Sequence, residues 1–479
     1  MARAWLTSAV LVLVTVAGCS APADKDTGPS VNLPPLVSVM TIQVEDAMTF
    51  SQSVVSEAQA VGQDLYEPTM EVSDTGAIYV AAHVIGAATT GTPAYISTDD
   101  GATWKQLPAI GPVSFPAPVQ GGQPPPGDEG FIVAGDDGEA WMADIYLGGF
   151  SVTGWCGDGA EQCYDNRQAY DRITSTSEMC ADGDAQSSTA GSLNDRPWAA
   201  YAPGVGSLLL VNNPGGGPMQ IGVMQVPPAT PVGSSDPVTG PRWNLCASPD
   251  GYIPGVPAMR ADGFFAVPQM TGMGTDDERL TVVLGNVADI FAVEVKDVFD
   301  VTSDYGGTSN GGRTAFDGAG ALYVGAYNNT EGANTDKDKG QFVLATSSDD
   351  GQRFVNVTFV TDTPVRSLYL DSNLHGPGAL LTWSQLGSTN TTDANGDVMY
   401  TKSDWYVAHV NVGPNGEPVL SHVTLAVNEG PHSSAHVMGA SLGPDGRAYF
   451  VNFSDEGDLV SYIGSTPLSV WIQQDGPTL

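Results

Sequence analysis

The chain has 479 residues, including 58 glycines and 34 prolines, and its 54 acidic residues exceed its 17 lysines and arginines to give a formal net charge of -37. So many turn-forming residues favour an all-β protein over a helical one. The negative charge repels phosphate backbones, which argues against nucleic acid as a partner.

The first 18 residues have the layout of a secretory signal. Arg3 precedes an apolar run, Ala9 to Val16, that is too short to span a bilayer, and a small Ala-Gly pair then precedes Cys19. This phrase resembles the lipobox of bacterial lipoproteins, which implies that Cys19 is lipidated; a plain cleaved signal is the alternative. Residues 19–39 would then be a flexible tether, and we expect an extracytoplasmic protein that meets the membrane through a lipid anchor only.

Seven related segments recur through residues 40–479. The clearest are SDTGAIYVAAH at Ser73–His83, FDGAGALYVGAY at Phe316–Tyr327 and GPDGRAYFVNF at Gly443–Phe453. The turn glycines of all seven copies are Gly76, Gly138, Gly206, Gly263, Gly320, Gly378 and Gly446, at separations from 57 (Gly206 to Gly263) to 68 (Gly138 to Gly206). Each copy predicts a β-hairpin. Because a lone hairpin cannot bury an apolar face, more strands are expected to follow it.

Two copies predict four strands each. In the first copy these are Thr69–Val72, Ile78–Ala82, Ala94–Ser97 and Thr103–Leu107; in the fifth they are Arg313–Phe316, Leu322–Ala326, Phe342–Thr346 and Phe354–Phe359. The octets STDDGATW (97–104) and SSDDGQRF (347–354) fall at the turn between the third and fourth strands of their copies.

The first octet resembles the Asp-box, or BNR repeat, of sialidase-like β-propellers. Its matching residues are Ser97, Asp99, Gly101, Thr103 and Trp104; in the second octet Ser347, Asp349 and Gly351 match, Arg353 replaces Thr and Phe354 replaces Trp. We expect the carboxylate to bond nearby backbone N–H groups and the aromatic ring to be buried beside the next blade, so that the octet is a structural staple. The box occurs in propellers of several activities, so the resemblance implies the fold and leaves the activity open.

The repeat therefore predicts a β-propeller of seven four-stranded blades, with six blades as the alternative. Leu459–Ile463 and Leu468–Ile472 are predicted as the last strands of blade seven, while the place of Met40–Val44 is left open. The polar stretch 150–194 matches no copy and is predicted to be an insertion.

The cysteines that remain beside Cys19 predict two disulfides. They are Cys156, Cys163, Cys180 and Cys246, an even number in an exported chain. Of the three pairings, Cys156 with Cys163 and Cys180 with Cys246 is the most natural, because WCGDGAEQC closes a short loop. A zinc site is the weaker alternative, since no histidine lies near them at ligand spacing.

A binding mouth is expected where the innermost strands begin. The residues at these positions are Glu67, Asp128, Glu129, Arg196, Arg260, Arg313, Arg366 and His436. In so acidic a chain, four arginines in one mouth predict a positive focus that captures a carboxylate or another anion. The alternative is that each arginine pairs with an acidic neighbour from the adjacent blade.

Resemblance to sialidases would further imply an arginine triad, a nucleophilic tyrosine with a glutamate neighbour, and an acid/base aspartate. The leading Arg-Ile-Pro of that family is absent, the nearest phrase being NDRPW at Asn194–Trp198. Glu67 and Glu129 are the candidate acid and base of a glycoside hydrolase.

One loop predicts a calcium ligand set. DANGD places Asp393, Asn395 and Asp397 at alternate positions, as calcium loops do, but it lacks the distal glutamate of an EF-hand, and a plain hairpin turn is the alternative. No other cofactor is predicted. The sequence thus predicts a tethered propeller that binds a glycan or an extracellular protein, with an exo-acting glycoside hydrolase on acidic sugars as the alternative.

Overall fold

The computed structural model describes nineteen stretches of the chain, all within a unit that spans Leu33–Leu479. They are residues 39–56, 64–85, 92–107, 129–146, 149–156, 161–166, 194–202, 204–214, 219–226, 242–248, 251–272, 278–300, 312–327, 340–387, 391–392, 398–399, 402–431, 439–452 and 468–479. Their regular structure is β apart from a 3-10 turn at Asp136–Gly138.

The strands follow the turn signals closely. In chain order they are β1 (Val39–Thr41), β2 (Thr49–Ser56), β3 (Asp64–Val72), β4 (Ile78–Ile85), β5 (Ala94–Ser97), β6 (Lys105–Gln106), β7 (Glu129–Ala134), β8 (Ala140–Tyr146), β9 (Gly149–Cys156), β10 (Glu161–Asn166), β11 (Asn194–Tyr201), β12 (Ser207–Pro214), β13 (Met219–Gln225), β14 (Arg242–Ser248), β15 (Gly251–Pro254) and β16 (Ala258–Met259). The second half contains β17 (Phe264–Thr271), β18 (Arg279–Asn286), β19 (Asp289–Asp300), β20 (Arg313–Phe316), β21 (Leu322–Tyr327), β22 (Gly340–Ser347), β23 (Val355–Thr361), β24 (Val365–Ser372), β25 (Ala379–Leu386), β26 (Thr391–Thr392), β27 (Val398–Met399), β28 (Lys402–Val412), β29 (Pro418–Pro431), β30 (Ala440–Leu442), β31 (Ala448–Asn452) and β32 (Leu468–Asp475).

These strands form seven small sheets arranged in a ring. Blade one is β3–β6, blade two is β7–β10, blade three is β11–β14, blade four is β15–β19 and blade five is β20–β23. Blade six consists of β24, β25, β28 and β29, and blade seven of β30–β32 together with β2. β26 and β27 form a separate hairpin. Each sheet packs on the next, and the seventh packs on the first through β3 and β30. The seven-bladed, four-stranded propeller predicted from the repeat is therefore confirmed.

The ring is closed by the N-terminal segment. β2 pairs antiparallel with β32 and is the outermost strand of blade seven. β1 extends blade five by pairing in parallel with β23, and between them the N–H groups of Glu45 and Asp46 donate to the carbonyl of Val423 on β29, at 2.7 and 3.2 Å. Residues 39–56 thus fasten blades five, six and seven together.

The predicted order of strands in blade seven is wrong. β31 pairs directly with β32, which makes Leu468–Asp475 the third strand, and Thr49–Ser56 supplies the fourth. The predicted strand at Leu459–Ile463 lies outside the described residues. An antiparallel partner from the other end of the chain leaves no local turn signal, which is why the repeat pattern assigned this strand to the C-terminal side.

The stretch 150–194 is not simply an insertion. Its first part forms β9 and β10, the third and fourth strands of blade two, and the remainder lies outside the described residues. β10 reads Glu-Gln-Cys-Tyr-Asp-Asn, which lacks the apolar alternation of an inner strand because an outermost strand has one fewer neighbour to pack against. Cys156 on β9 lies opposite Glu161 on β10, and Glu161 is two residues before Cys163. The two cysteines are therefore on adjacent strands, and the Cys156–Cys163 disulfide stays a prediction.

Candidate functional site

The two acidic octets fold into the same turn. In the first, Asp99 accepts hydrogen bonds from the backbone N–H and the hydroxyl of Thr103, at 2.8 and 2.6 Å, and the hydroxyl of Ser97 accepts from Gly101 N–H at 2.9 Å. These bonds, with Thr103 the largest contributor, lower the pKa of Asp99. The second octet repeats them with Asp349 and Ser347; Arg353 keeps the backbone bond to Asp349, at 3.0 Å.

Each octet docks on the blade before it in the ring. Trp104 donates from its indole nitrogen to the hydroxyl of Ser53 on β2, at 2.8 Å, and packs beside the cluster between blades seven and one. Phe354 lies in the cluster between blades four and five. The prediction that these rings contact the next blade is wrong, because the twist of each blade turns its outer strands back over the preceding one.

Two arginines tie the octets to the preceding blades. Arg447 of blade seven bonds Asp100 at 3.0 Å and Arg260 of blade four bonds Asp350 at 2.6 Å, while each also pairs with an aspartate of its own turn, Asp445 and Asp262 respectively. Arg260 therefore lies at the end of its first strand in ion pairs with two carboxylates, and does not lie at the predicted mouth. For Arg260 the alternative is therefore correct: it pairs with an acidic residue of the adjacent blade, Asp350.

The other predicted mouth residues are only partly within the described chain. Arg313 and Arg366 are both buried, and Arg313 lies over the rings of Trp198 and Tyr369 with its Cζ at 5.7 and 6.0 Å from the ring centroids. Glu67, Glu129 and Arg196 have their backbones on β3, β7 and β11, but their side chains lie outside the described residues, as do Asp128, His436, Cys19, Cys180 and the calcium candidates Asp393, Asn395 and Asp397. The anion mouth and the calcium loop stay predictions.

The cavity in the described part of the chain lies on the axis, toward the opposite ends of the first strands. It has a volume of about 310 Å³ and is lined by residues from all seven blades. Its walls include the aromatic residues Phe131, Tyr201 and Tyr369 and the polar residues Ser73 and Asn373. The ring of Phe131 packs edge-on against Trp198, with 5.3 Å between the ring centroids, and the guanidinium of Arg313 lies over the ring of Trp198. Trp198 and Arg313 thus lie behind the lining residue Phe131.

Two carboxylic acids of this cavity flank the first strand of blade seven. Ser441 on β30 donates its hydroxyl to Glu71 at 2.9 Å, and the N–H of Leu442 donates to Asp371 at 2.8 Å. Burial raises the pKa of Glu71 well above its ordinary value, and the nearby charge of Asp371 raises it further. Burial also raises the pKa of Asp371 to about 7. Among the described residues that line the cavity there is no lysine or arginine to offset these charges.

A tyrosine lies beside the two acids. Tyr369 is 4% exposed and lines the cavity. Burial, with the charges of Glu71 and Asp371, raises its pKa, although Arg313 acts in the opposite direction. Tyr369 therefore places a phenol at the edge of a space that a ligand can fill.

The sequence contained a signal for this site that was missed. Glu71 and Asp371 each occupy the next-to-last paired position of an apolar first strand, opposite Tyr79 and Leu380 respectively. A carboxylate in an otherwise buried strand is costly unless it has a function or a partner.

The fold defines the class of protein, a seven-bladed β-propeller with an acidic axial cavity. It is similar to the phage phi92 endosialidase (12% identity, 90% of this chain and 70% of that chain, TM-score 0.44), an α-L-arabinofuranosidase from Fusarium graminearum (9%, 89% and 98%, 0.46) and an intramolecular trans-sialidase from Ruminococcus gnavus (13%, 85% and 94%, 0.41). Likeness at this level carries no conclusion about ligand or reaction.

No protein-family model and no curated protein matches the chain. Within the described ranges, no helix is long and apolar enough to cross a membrane, and no cluster of three or more histidine, cysteine, aspartate or glutamate residues is arranged to hold a metal ion.

Proposed function

We propose that the protein is an extracytoplasmic, membrane-anchored propeller that binds a glycan, holding one sugar unit in the axial cavity. The observation that carries the proposal is the cavity of about 310 Å³ with aromatic walls that include Tyr369. That volume lies at the small end of the range of ligand pockets, about 300 to 1,000 Å³. Aromatic rings pack against the C–H faces of sugars while hydroxyl and carboxyl groups bond their hydroxyls.

A glycan array followed by calorimetric titration of the strongest hit tests this function. Tyr369→Phe removes only the hydroxyl, so we expect it to fold normally and to weaken binding about tenfold. Tyr323→Phe is the matched control, because Tyr323 bonds Asp317 at 2.9 Å outside the cavity lining; it is expected to lower stability and leave affinity unchanged. A folded protein that binds no glycan, or equal affinity of Tyr369→Phe and wild type, would contradict the proposal.

A glycoside hydrolase is the second candidate. Tyr369 lies close enough to Glu71 and Asp371 for their charges to act on it. A tyrosine nucleophile, a neighbouring glutamate and an acid/base aspartate are the residue types expected of a sialidase-like hydrolase. The raised pKa of Tyr369 argues for binding over catalysis, because a phenol nucleophile is activated by a lowered pKa. Turnover of fluorogenic glycosides that Glu71→Gln abolishes would favour the enzyme.

Anchoring to the membrane through Cys19 is a further part of the proposal, supported by the lipobox resemblance. Metabolic labelling with a fatty acid is expected to tag the wild-type protein and not Cys19→Ala. Failure to tag either one would remove the anchor and leave a freely secreted binding module.

A further inference from the structure

The geometry points to a ligand whose bound sugar unit carries a protonated amine, held between Glu71 and Asp371. This inference rests on the proposed function and specifies the charge of the sugar. It is opposite in sign to the acidic sugar that the arginine pattern of the sequence predicts. Arg313 lies behind Tyr369, with its Cζ 6.0 Å from the ring centroid, but neither Arg313 nor Arg366 lines the cavity.

The charges around the cavity support a cationic group. Four carboxylic acids line it, namely Glu71, Asp74, Asp371 and Asp445. Asp445 is already balanced by Arg447, at 2.6 Å, and Asp74 is exposed at the rim. Glu71 and Asp371 are the two inner acids, and their described hydrogen-bond donors, Ser441, Leu442 and Ser372, are uncharged. His375 is the one described lining residue that could carry a positive charge, and a ligand ammonium would supply a full one between the two acids.

The hydrogen-bond geometry leaves room for that group. Ser441 donates to one oxygen of Glu71 and the N–H of Leu442 to one oxygen of Asp371, and both donors come from β30, between the two acids. Asp371 also accepts from the backbone N–H of Ser372. The remaining lone pairs of both carboxylates are available to a donor with several N–H bonds, which an ammonium provides. Tyr369, which also lines the cavity, adds a hydroxyl beside them.

Binding of an amine is expected to be linked to loss of a proton. When an ammonium approaches, a carboxylic acid that holds its proton near neutral pH ionises, the proton passes to the buffer, and the carboxylate pairs with the ammonium. A neutral sugar in the same place has no reason to release that proton. Proton release on binding therefore indicates that the acids contact the ligand directly, because acids with a purely structural role would not change their protonation when the ligand binds.

The test compares three probes with one pyranose ring: D-glucosamine, D-glucose and D-glucuronate. Calorimetric titration at pH 6.5, in two buffers of different ionisation enthalpy, is expected to show at least tenfold tighter binding of glucosamine than of glucose, still weaker binding of glucuronate, and proton release with glucosamine alone. Glu71→Gln and Asp371→Asn, which keep the size of each side chain, should remove the preference and the proton release.

Asp74→Asn is the matched control, since it removes a carboxylate at the rim and should keep most of the preference. Glucose binding as tightly as glucosamine would overturn the inference and leave the glycan proposal standing. Tighter binding of glucuronate than of glucosamine, or no binding of glucosamine to a folded protein, would also overturn it. If the folded protein binds no glycan on the array, the proposed function fails as well.

Discussion

Val55→Asp is expected to lower the free energy of unfolding by on the order of 3 kcal/mol, because it places a charge in the strand that closes the ring. Val55 is 7% exposed and packs in the cluster between blades seven and one, with Met70 and Ile472. Its strand, β2, comes from the N-terminal side of the chain and pairs with β32 of blade seven. Loss of this strand would leave β32 without its outer partner. Urea unfolding followed by tryptophan fluorescence measures the change.

The neighbouring residue provides the control. Val54 lies on the same strand and is 43% exposed, so Val54→Asp is expected to change stability by no more than about 0.5 kcal/mol. Should Val55→Asp fail to fold, Val55→Ala gives a graded version, with an expected loss of about 1 to 2 kcal/mol. Equal effects of the two aspartate substitutions would show that β2 does not fasten the ring through its buried face.

The repeat could be found from sequence because it depends on local chemistry. The turn at Gly320 requires a positive φ, which is +88° in the structure, and the short strands on either side, Arg313–Phe316 and Leu322–Tyr327, are buried along their whole length. The octet at Asp349 likewise closes through bonds four residues apart. Such features depend on consecutive residues, so the turns were found and the strands of the first and fifth copies were predicted in the right order, although β3 begins at Asp64 and not at Thr69.

Ring closure could not be found in the same way. β2 pairs with β32 across more than 400 residues, Gln52 lying opposite Trp471, and no turn joins them. The polar composition of β10 hid the outer edge of blade two for a related reason, since an edge strand needs less apolar surface. Pairings that depend on the closed ring become visible only when the blades are assembled.

The role of Arg260 could not be predicted from the sequence because the number of arginines at strand starts does not show their surroundings. Arg260 looked like a ligand-binding residue until the ring brought Asp350 within 2.6 Å of it. Glu71 and Asp371 are 300 positions apart in the sequence, and only the contact of blades one and six with blade seven brings them to one cavity. Their burial in apolar strands was the available sign.

Asp371→Asn is expected to stabilise the protein at pH 8 relative to wild type, by on the order of 2 kcal/mol more than at pH 5. Burial raises the pKa of Asp371 to about 7 from an ordinary value of 3.8, so the folded state binds a proton that the unfolded chain has already lost. The stability that this proton provides is complete below pH 3.8 and disappears as the pH rises through 7. Asparagine is neutral throughout, and its side-chain oxygen can still accept from Leu442.

Thermal unfolding of both proteins at pH 5 and pH 8 measures this difference. Asp99→Asn is the contrasting control, because hydrogen bonds from Thr103 lower the pKa of Asp99; its ionised form stabilises the fold above pH 3.8, so its removal should destabilise the protein at pH 8. A gain for Asp371→Asn that is the same at both pH values would mean that the site does not resist ionisation. A pH-dependent gain together with lost glucosamine binding would mean that the cavity keeps a destabilising acid because the ligand requires it.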